Sequence, residues 1–549
     1  MFPTSKYLVS GIALVAIVLT ACIKEEDFSF SQVKLQNYDG QYAAPIVNST
    51  LSIKDILKEA DKNGNIQEDA SGFLTLAYDS VSYSIKAEDA LILPNGITNN
   101  SVNADAVTMA SFATGAIGTT VIVENSRTTS EALNFSSGLE IDAITFKGGN
   151  LVVEFPTVQN QTLNVEITIP NLKLNNVAFT KVITIPAGAT APYRAVFPVN
   201  GDNWDLTNGN ANSFNSFTLI RTVAVTKNSA DPLPPSYPYT IKLESPKYTN
   251  MVGYFGQLSL PSISGNVAIK AFNNDFGGTI SFDNPLLKIR VENQMGLPIS
   301  LNSLSPFYAT SANGTNTPIT GFPANYMIQA ASSSTNSWTD LITLDKNNSN
   351  IQTVANTKSN NMYFSAQCGI NPAGMPATRN FVSDTSKIKF TSYIELPLQG
   401  TASDFAFVDT VAFNMRELTD SNDIIKSVLL RINVDNGFPM DNKLQIYFLH
   451  PVTNVPVSVL FPDPAQQPIF ASAAIDANGI VTNPTNKITD VVVTGAAWRA
   501  LANLGVKRVI LKAQASSTNN GNNVVKIYSQ YQFKLRMGLK VSLTGNFPQ

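Results

Sequence analysis

The segment Leu163-Asn164-Val165-Glu166-Ile167-Thr168-Ile169 alternates apolar and polar residues at every position. Because successive side chains of a β-strand point to opposite faces of a sheet, this alternation predicts a strand with one buried face. Similar patterns recur along the chain and are separated at short intervals by Asn, Gly, Ser and Pro. Many short strands joined by such turns favour β-sandwiches over βαβ units. Further examples are residues 73–78, 81–85, 139–144, 151–155, 287–291 and 524–528.

Helical periodicity is rare in this sequence. One short helix is predicted after Thr50 or Ser52, and the turn sequence at 61–65 would end it. A second is predicted over residues 496–504, with Thr494 as its N-terminal cap and Gly505 as its stop signal. We therefore predict an all-β fold of several consecutive β-sandwich-like domains with a few short helices.

The chain has 549 residues, and at about 150 residues per domain this length suggests three or four domains. The Pro-rich residues 231–238 and the Gly/Pro break at 370–379 are candidate linkers or long loops. The predicted segments are a signal peptide at 1–21, an anchor and tether at 22–50, an N-terminal β-rich region at 51–130, β-sandwiches at 131–250 and 251–395, and a C-terminal β-rich domain at 396–549.

The composition excludes several classes of protein. Only 14% of residues are charged, the net charge is −3, and there are one histidine and two cysteines. Two cysteines cannot build a disulfide scaffold, and a closed zinc site needs four Cys or His ligands. Nucleic-acid binding is disfavoured because it depends on many Lys or Arg contacts to phosphate. The 44% hydrophobic content is sufficient for a buried core.

The first 22 residues form the clearest targeting signal. Lys6 precedes an apolar run at 8–19, which is too short for an ordinary membrane span and is typical of a secretory signal peptide. The run ends in Leu19-Thr20-Ala21-Cys22, the pattern of a bacterial lipobox. We expect cleavage before Cys22 and acylation of Cys22 with diacylglycerol and chains such as palmitate, which anchor a protein in a bilayer. The alternative is a plain signal peptide followed by a chance cysteine.

The residues after Cys22 contain a second candidate targeting signal. Lys24, Glu25 and Glu26 resemble the surface-export signal of Bacteroidota lipoproteins, which implies exposure on the outer leaflet of the outer membrane. The alternative is a polar tether found in any lipoprotein. Residues 42–51, 276–285 and 525–529 resemble large Bacteroidota lipoproteins of unassigned function. That resemblance implies an all-β, surface-associated protein and implies no activity.

No sequence pattern indicates catalysis. His450 at a strand end is interpreted as a structural polar residue, and nothing local supports its pairing with Cys368. Residues 61–65 begin like a calcium-binding EF-hand loop, but Ile66 and Gly72 occupy the positions of the required Gly and Glu, so a plain turn is preferred. No nucleophile elbow, phosphate-binding loop or distinguishable carboxylate pair is present. We therefore expect no enzyme activity, metal or cofactor.

Two pairs of residues are candidate surface sites. Trp204 and Trp338 lie in polar segments and could stack on sugar rings, although tryptophans near strand ends also pack at core edges. Ser80 in Asp-Ser-Val and Thr410 in Asp-Thr-Val resemble the O-glycosylation sequon of Bacteroidota proteins, a match that also arises by chance. Stacking on a sugar ring and O-glycosylation both require a side chain that is accessible at the surface.

The sequence thus favours a non-enzymatic cell-surface lipoprotein that is a structural or interaction subunit of an outer-membrane complex for barrel assembly, secretion or transport. Its expected partners are the outer membrane through Cys22, an integral outer-membrane barrel and other surface lipoproteins, without nucleic acid. The alternative is a surface glycan-binding lipoprotein of a nutrient-uptake system, with Trp204 and Trp338 as stacking residues.

Overall fold

The computed structural model describes residues 40–52, 66–135, 138–268, 277–311, 313–412 and 425–543. Antiparallel strands dominate these residues, so the predicted all-β fold with few short helices is confirmed. The helices are α1 (Ala87–Ala90), α2 (Ala106–Thr114), α3 (Ile351–Asn356) and α4 (Gly495–Leu504), and a 3₁₀ turn spans Pro464–Gln466.

Helix α4 is the helix predicted at 496–504. The Thr494 side chain accepts a hydrogen bond from the backbone N–H of Ala497, which satisfies one free donor of the first turn. Gly505 ends the helix in the left-handed conformation, at φ 71°. The helix predicted after Thr50 is not tested beyond its start, because Leu51 and Ser52 belong to a strand and residues 53–65 lie outside the described residues.

The described residues form 34 strands. The first group is β1 (Gly40–Ser52), β2 (Ile66–Glu68), β3 (Leu74–Lys86), β4 (Gly96–Asn103), β5 (Thr120–Ala132), β6 (Asn134–Phe135), β7 (Glu140–Phe155), β8 (Thr162–Leu174), β9 (Val177–Ile185), β10 (Tyr193–Pro198), β11 (Asn203–Asp205), β12 (Ser216–Thr226) and β13 (Ser236–Tyr254). The second is β14 (Ile263–Ala268), β15 (Gly277–Phe282), β16 (Leu286–Asn293), β17 (Ile299–Ser311), β18 (Asn316–Pro318), β19 (Tyr326–Ile328), β20 (Trp338–Leu344), β21 (Ser359–Ile370), β22 (Asn380–Ser383), β23 (Lys387–Pro397) and β24 (Gln399–Ala412). The third is β25 (Ile425–Asn436), β26 (Met440–Leu449), β27 (Pro456–Val459), β28 (Pro468–Phe470), β29 (Ala474–Ile475), β30 (Val481–Asn483), β31 (Thr485–Thr494), β32 (Arg508–Ser517), β33 (Val525–Lys526) and β34 (Gln532–Leu543).

The largest sheet, here called the central sheet, has eleven strands in the order β5-β12-β8-β11-β7-β13-β4-β6, with β9, β10 and β22 bonded to β8, β7 and β13. The alternation predicted at 163–169 lies in β8, where Leu163, Val165, Ile167 and Ile169 are all buried. Strand β12 alternates buried and partly buried residues along its whole length. Period-two burial therefore gives this sheet its inner face.

The long pair β7 and β13 bends near Gly149. Before this glycine β7 buries Ile141, Ile144 and Phe146, and after it β7 buries Leu151, Val152, Val153 and Phe155, so burial does not keep a single period-two register along the strand. Gly149 has φ 115°, and a Cβ at this position would lie 2.8 Å from Cα of Pro246. Only glycine fits this close approach, and the bulge re-aims the side chains of β7.

Two five-stranded sheets adjoin the central sheet. The β3 sheet has the order β2-β3-β23-β16-β20, and the β17 sheet has the order β14-β21-β17-β18 with β19 also bonded to β17. One continuous hydrophobic cluster joins both sheets to the central sheet. This shared burial stabilises the three sheets together.

The C-terminal sandwich consists of a four-stranded sheet, β1-β34-β25-β31, and a seven-stranded sheet, β15-β24-β32-β26-β27 with β28 and β33 bonded to β26 and β24. A separate hydrophobic cluster fills the space between them, with Val434 and Phe533 from the first sheet and Leu444 and Ala513 from the second. Strands β29 and β30 form a small hairpin.

Strand pairing crosses the predicted domain divisions. Strand β3, from the predicted N-terminal region, bonds to β23 of the predicted 251–395 sandwich, and β1 bonds to β34. Residues 231–235 connect two strands of the central sheet, so they form a loop within it. The divisions placed at 130, 250 and 395 therefore do not separate one sheet from another.

Candidate functional site

The predicted targeting residues Cys22, Lys24, Glu25 and Glu26 lie outside the described residues, as does the calcium-like segment at 61–65. The lipid anchor, the export signal and the plain-turn interpretation therefore stay predictions. The first described residue is Gly40, at the start of β1.

Trp204 cannot be a surface stacking residue, which corrects that part of the glycan-binding hypothesis. Its side chain is 1% exposed, and its ring packs against the rings of Phe146 and Phe217 at centroid distances of 6.3 and 5.2 Å. Strand β11 is only three residues long, but it pairs with both β7 and β8. This pairing turns position 204 inward and leaves polar Asn203 and Asp205 outside, which is why its polar neighbours in sequence were misleading.

Trp338 is partly exposed, so it remains a candidate for stacking. It begins β20, the last strand of the β3 sheet, and packs partly against the core. Two residues on, the Asp340 carboxylate accepts a hydrogen bond from the Tyr326 hydroxyl. Burial, followed by this contact, raises the pKa of Tyr326. Trp338 and Asp340 are two positions apart on one strand, so their side chains lie on the same face of the sheet.

The two predicted glycosylation residues both lie on strands. Ser80 is in β3 opposite Ser392 of β23, and its side chain is outside the described part of the structure. Thr410 lies exposed on β24, opposite Ile510 of β32. Modification of either residue stays a prediction.

Cys368 lies in the β17 sheet, whereas His450 lies just beyond a strand of the seven-stranded sheet. Cys368 is buried in β21, and burial raises the pKa of its thiol to about 12, which disfavours the reactive thiolate. His450 follows β26, and its Nδ1 accepts hydrogen bonds from the backbone N–H groups of Val452 and Thr453 at 3.2 and 3.3 Å. Its role in shaping a turn agrees with the structural interpretation of this histidine.

Within the ranges that the structure describes, no three His, Cys, Asp or Glu side chains are grouped so that they could hold a metal ion. In the same ranges, no helix is both long enough and apolar enough to cross a membrane.

The first strand of the described residues begins next to α4. Gly40 of β1 lies opposite Leu543 of β34, and Leu543 lies opposite Ile425 of β25. The Arg499 guanidinium of α4 donates a hydrogen bond to the Ile425 carbonyl oxygen at 3.0 Å. Helix α4 therefore lies at the end of the four-stranded sheet from which the segment before Gly40 departs.

Helix α4 also connects this end to the seven-stranded sheet. It follows β31 and leads through Gly505 to β32, and its buried Leu501 and Ala502 cluster with Phe448 and Val509 of that sheet. Residues 450–457, here called the valine turn, run from the end of β26 into the first two residues of β27. We call this part of the C-terminal sandwich the tether end: Gly40, Ile425–Lys426, α4, Lys507–Arg508 and the valine turn.

The valine turn presents apolar side chains to solvent in a fixed conformation. Val452, Val455 and Val457 are 80%, 58% and 43% exposed. Besides the contacts to the imidazole, the backbone N–H of His450 donates to the carbonyl oxygen of Val455 at 2.9 Å. Such a turn is preformed, because its backbone groups are already bonded within it.

Charge is unevenly distributed in the chain, a signal that the net charge of −3 conceals. Residues 425–549 contain 12 Lys and Arg against 5 Asp and Glu, a net +7, which leaves 25 basic and 35 acidic residues in positions 1–424. After Asp490, the last 59 residues hold eight basic residues and no acidic one. This asymmetry is visible in the sequence alone, and such a basic segment often marks a surface for anionic partners.

No protein-family model matches this chain, and no curated protein matches it. A solved candidate secreted protein from Parabacteroides distasonis has a TM-score of 0.29 and 13% identity, over 52% of this chain and 82% of that chain. The VP2 subviral particle of infectious bursal disease virus has a TM-score of 0.13 and 8% identity, over 74% of each chain. At such low TM-scores these likenesses support no conclusion about function.

Proposed function

We propose that the protein is a non-enzymatic, lipid-anchored cell-surface protein that acts by contact, as a structural or interaction subunit of an outer-membrane complex. The observation that carries the proposal is the position of β1, which follows the predicted tether and is an edge strand of the C-terminal sandwich. Cys22 and Gly40 are 18 positions apart, and a chain of this length spans at most about 65 Å when it is fully extended. A lipid on Cys22 would therefore hold this sandwich near the bilayer.

The central sheet offers a contact surface for a protein partner. Among the described strands, β9 bonds only to β8 and β10 only to β7, so each leaves one edge unpaired. Val177 and Val182 of β9 and Val196 of β10 are 69%, 65% and 51% exposed. The rings of Phe179 and Phe197 connect the two strands at 5.6 Å. Unpaired edges with exposed aliphatic residues are typical sites for strand addition or apolar docking.

Purification through a C-terminal tag in a gentle detergent tests this function. We expect an integral outer-membrane barrel and other surface lipoproteins to be recovered in fixed ratio with the protein. The double variant Val177→Asp/Val196→Asp should lose the partner, whereas Val107→Asp, at a more exposed valine on α2, should retain it. Recovery of the wild type as a monomer would contradict the proposal.

Glycan binding is the second candidate function, and the setting of Trp338 beside Tyr326 and Asp340 favours it. Affinity electrophoresis against a panel of polysaccharides is the test. If a polysaccharide retards the protein, Trp338→Ala should abolish the retardation and Trp338→Phe should preserve part of it, because stacking requires an aromatic face. Retardation that Trp338→Ala leaves unchanged would remove this residue from the hypothesis.

A further inference from the structure

We infer that the tether end is a membrane-docking surface that binds anionic lipid headgroups through Lys426, Lys507 and Arg508, while the valine turn enters the interfacial layer. The inference rests on the proposed function in one respect, namely that a lipid on Cys22 brings this end of the sandwich to a bilayer. The docking surface itself consists of side chains that are independent of that lipid.

The apolar part of the surface is concentrated in one place. Exposed hydrophobic residues scattered singly are ordinary, but a cluster of them marks an interaction site. Val452, Val455 and Val457 belong to the same short turn, and all three are exposed. Because the His450 imidazole and the turn's own backbone bonds hold the turn, little ordering entropy is lost when the valines enter an apolar environment.

The basic part of the surface adjoins the turn. Lys507 and Arg508 are exposed where α4 joins β32. The Arg508 guanidinium donates a hydrogen bond to the side-chain oxygen of Asn454, which lies within the valine turn. Since Asn454 is neutral, this contact places a positive charge beside the exposed valines without cancelling it. Lys426, also exposed, lies next to Ile425 at the base of the tether.

Apolar tips flanked by Lys and Arg match the chemistry of a lipid–water interface. Acyl chains accept the apolar side chains, and the phosphate groups of an anionic surface attract the basic ones. The position of Gly40 at the same end adds a second reason. A tether that leaves from this end keeps the surface at high effective concentration at the bilayer.

Vesicle flotation of the unlipidated mature chain tests the inference. The protein is residues 22–549 with Cys22→Ser, mixed with vesicles of phosphatidylcholine alone or of phosphatidylcholine with phosphatidylglycerol. We expect flotation with the anionic vesicles, weakening as salt is added, and little flotation with the neutral ones. Because this protein has no lipid, its failure to float overturns the inference and leaves the anchor untouched. Loss of acylation at Cys22 would overturn the anchor alone.

Matched variants identify the surface. Lys507→Glu and Arg508→Glu should each weaken binding at least about fivefold, the factor that corresponds to about 1 kcal/mol. Val452→Ser/Val455→Ser should also weaken it, whereas the exposed residues Val107→Ser and Lys173→Glu should leave it unchanged. Circular dichroism confirms that each variant is folded. Equal binding by all variants would overturn the inference.

Discussion

Gly40 lies directly opposite Leu543 in the four-stranded sheet, so the first and the last described strands are hydrogen-bonded neighbours. The pairing continues along β1 to Ser52, opposite Gln532. The first and last described strands therefore both belong to the C-terminal sandwich. A force or constraint on the tether acts on β1 and, through it, on β34.

Removal of β1 should destabilise the C-terminal sandwich more than the rest of the protein. A mature chain shortened to begin at residue 53 loses the strand that covers one edge of β34. We expect the backbone amides of β34 to exchange hydrogen faster, while those of β8 and β12 in the central sheet keep their protection. Unchanged exchange in β34 would show that β1 is not part of the stable sheet.

Replacement of the two tryptophans should have opposite consequences. Trp204→Ala removes a buried ring that packs between Phe146 and Phe217, and we expect it to reduce the free energy of unfolding by about 3–5 kcal/mol. Trp338→Ala, at a partly exposed edge position, should cost clearly less. Urea unfolding followed by circular dichroism measures both. A similar loss for the two variants would contradict the burial of Trp204.

The interior of the central sheet contains an ion pair between Arg221 and Glu124, whose side chains are 3% and 4% exposed. Arg221 also donates to the Tyr239 hydroxyl at 2.8 Å. Glu124→Gln leaves a buried guanidinium without its counter-charge, and we expect a loss of about 3–5 kcal/mol in unfolding free energy. The double variant Glu124→Gln/Arg221→Met should recover much of this loss. If the double variant is no more stable than the single one, the buried charge is not the cause.

Acid should weaken a salt-bridge cluster that joins α1, β7 and the residue after β22. The Lys147 ammonium contacts the carboxylates of Glu88 at 2.5 Å and Asp384 at 2.9 Å. The hydrogen bond to Lys147 lowers the pKa of both carboxyl groups from their ordinary values of 4.5 and 3.8. Their contribution to stability is therefore complete above those values and is lost as the pH falls through the lowered ones.

The variant Lys147→Met isolates this effect. Its unfolding midpoint should lie below that of the wild type at pH 7, and the difference should shrink steadily as the pH falls below about 4.5. Thermal unfolding followed at several pH values measures the difference. A difference that stays constant into the acid range would exclude the two carboxylates as partners.

Local patterns in the sequence predicted local structure well. The alternation at 163–169 predicted the buried face of β8, because a strand with one buried side has an apolar residue at every second position. Helix α4 was predicted with both ends because Thr494 and Gly505 satisfy free backbone groups through contacts close in sequence. These features depend on neighbours within a few residues, which a single sequence displays.

Long-range strand pairing and side-chain burial are harder to predict from the sequence. The bond between β3 and β23 joins residues about three hundred positions apart, and no local signal marks it. The polar neighbours of Trp204 in sequence do not reveal its burial, because the burial of a three-residue strand depends on its pairing with β7 and β8. The tether end is not evident from the sequence, for two reasons. The net charge hides a basic C-terminal segment, and only the fold brings Gly40, α4 and the valine turn together.

The intact mass of the mature protein, isolated from membranes, is the most direct test of anchoring at Cys22. We predict a chain that begins at Cys22 and carries the added mass of diacylglycerol and acyl groups. A mature chain that begins at another residue, or one that begins at Cys22 without any lipid, would contradict a membrane tether at this end of the protein.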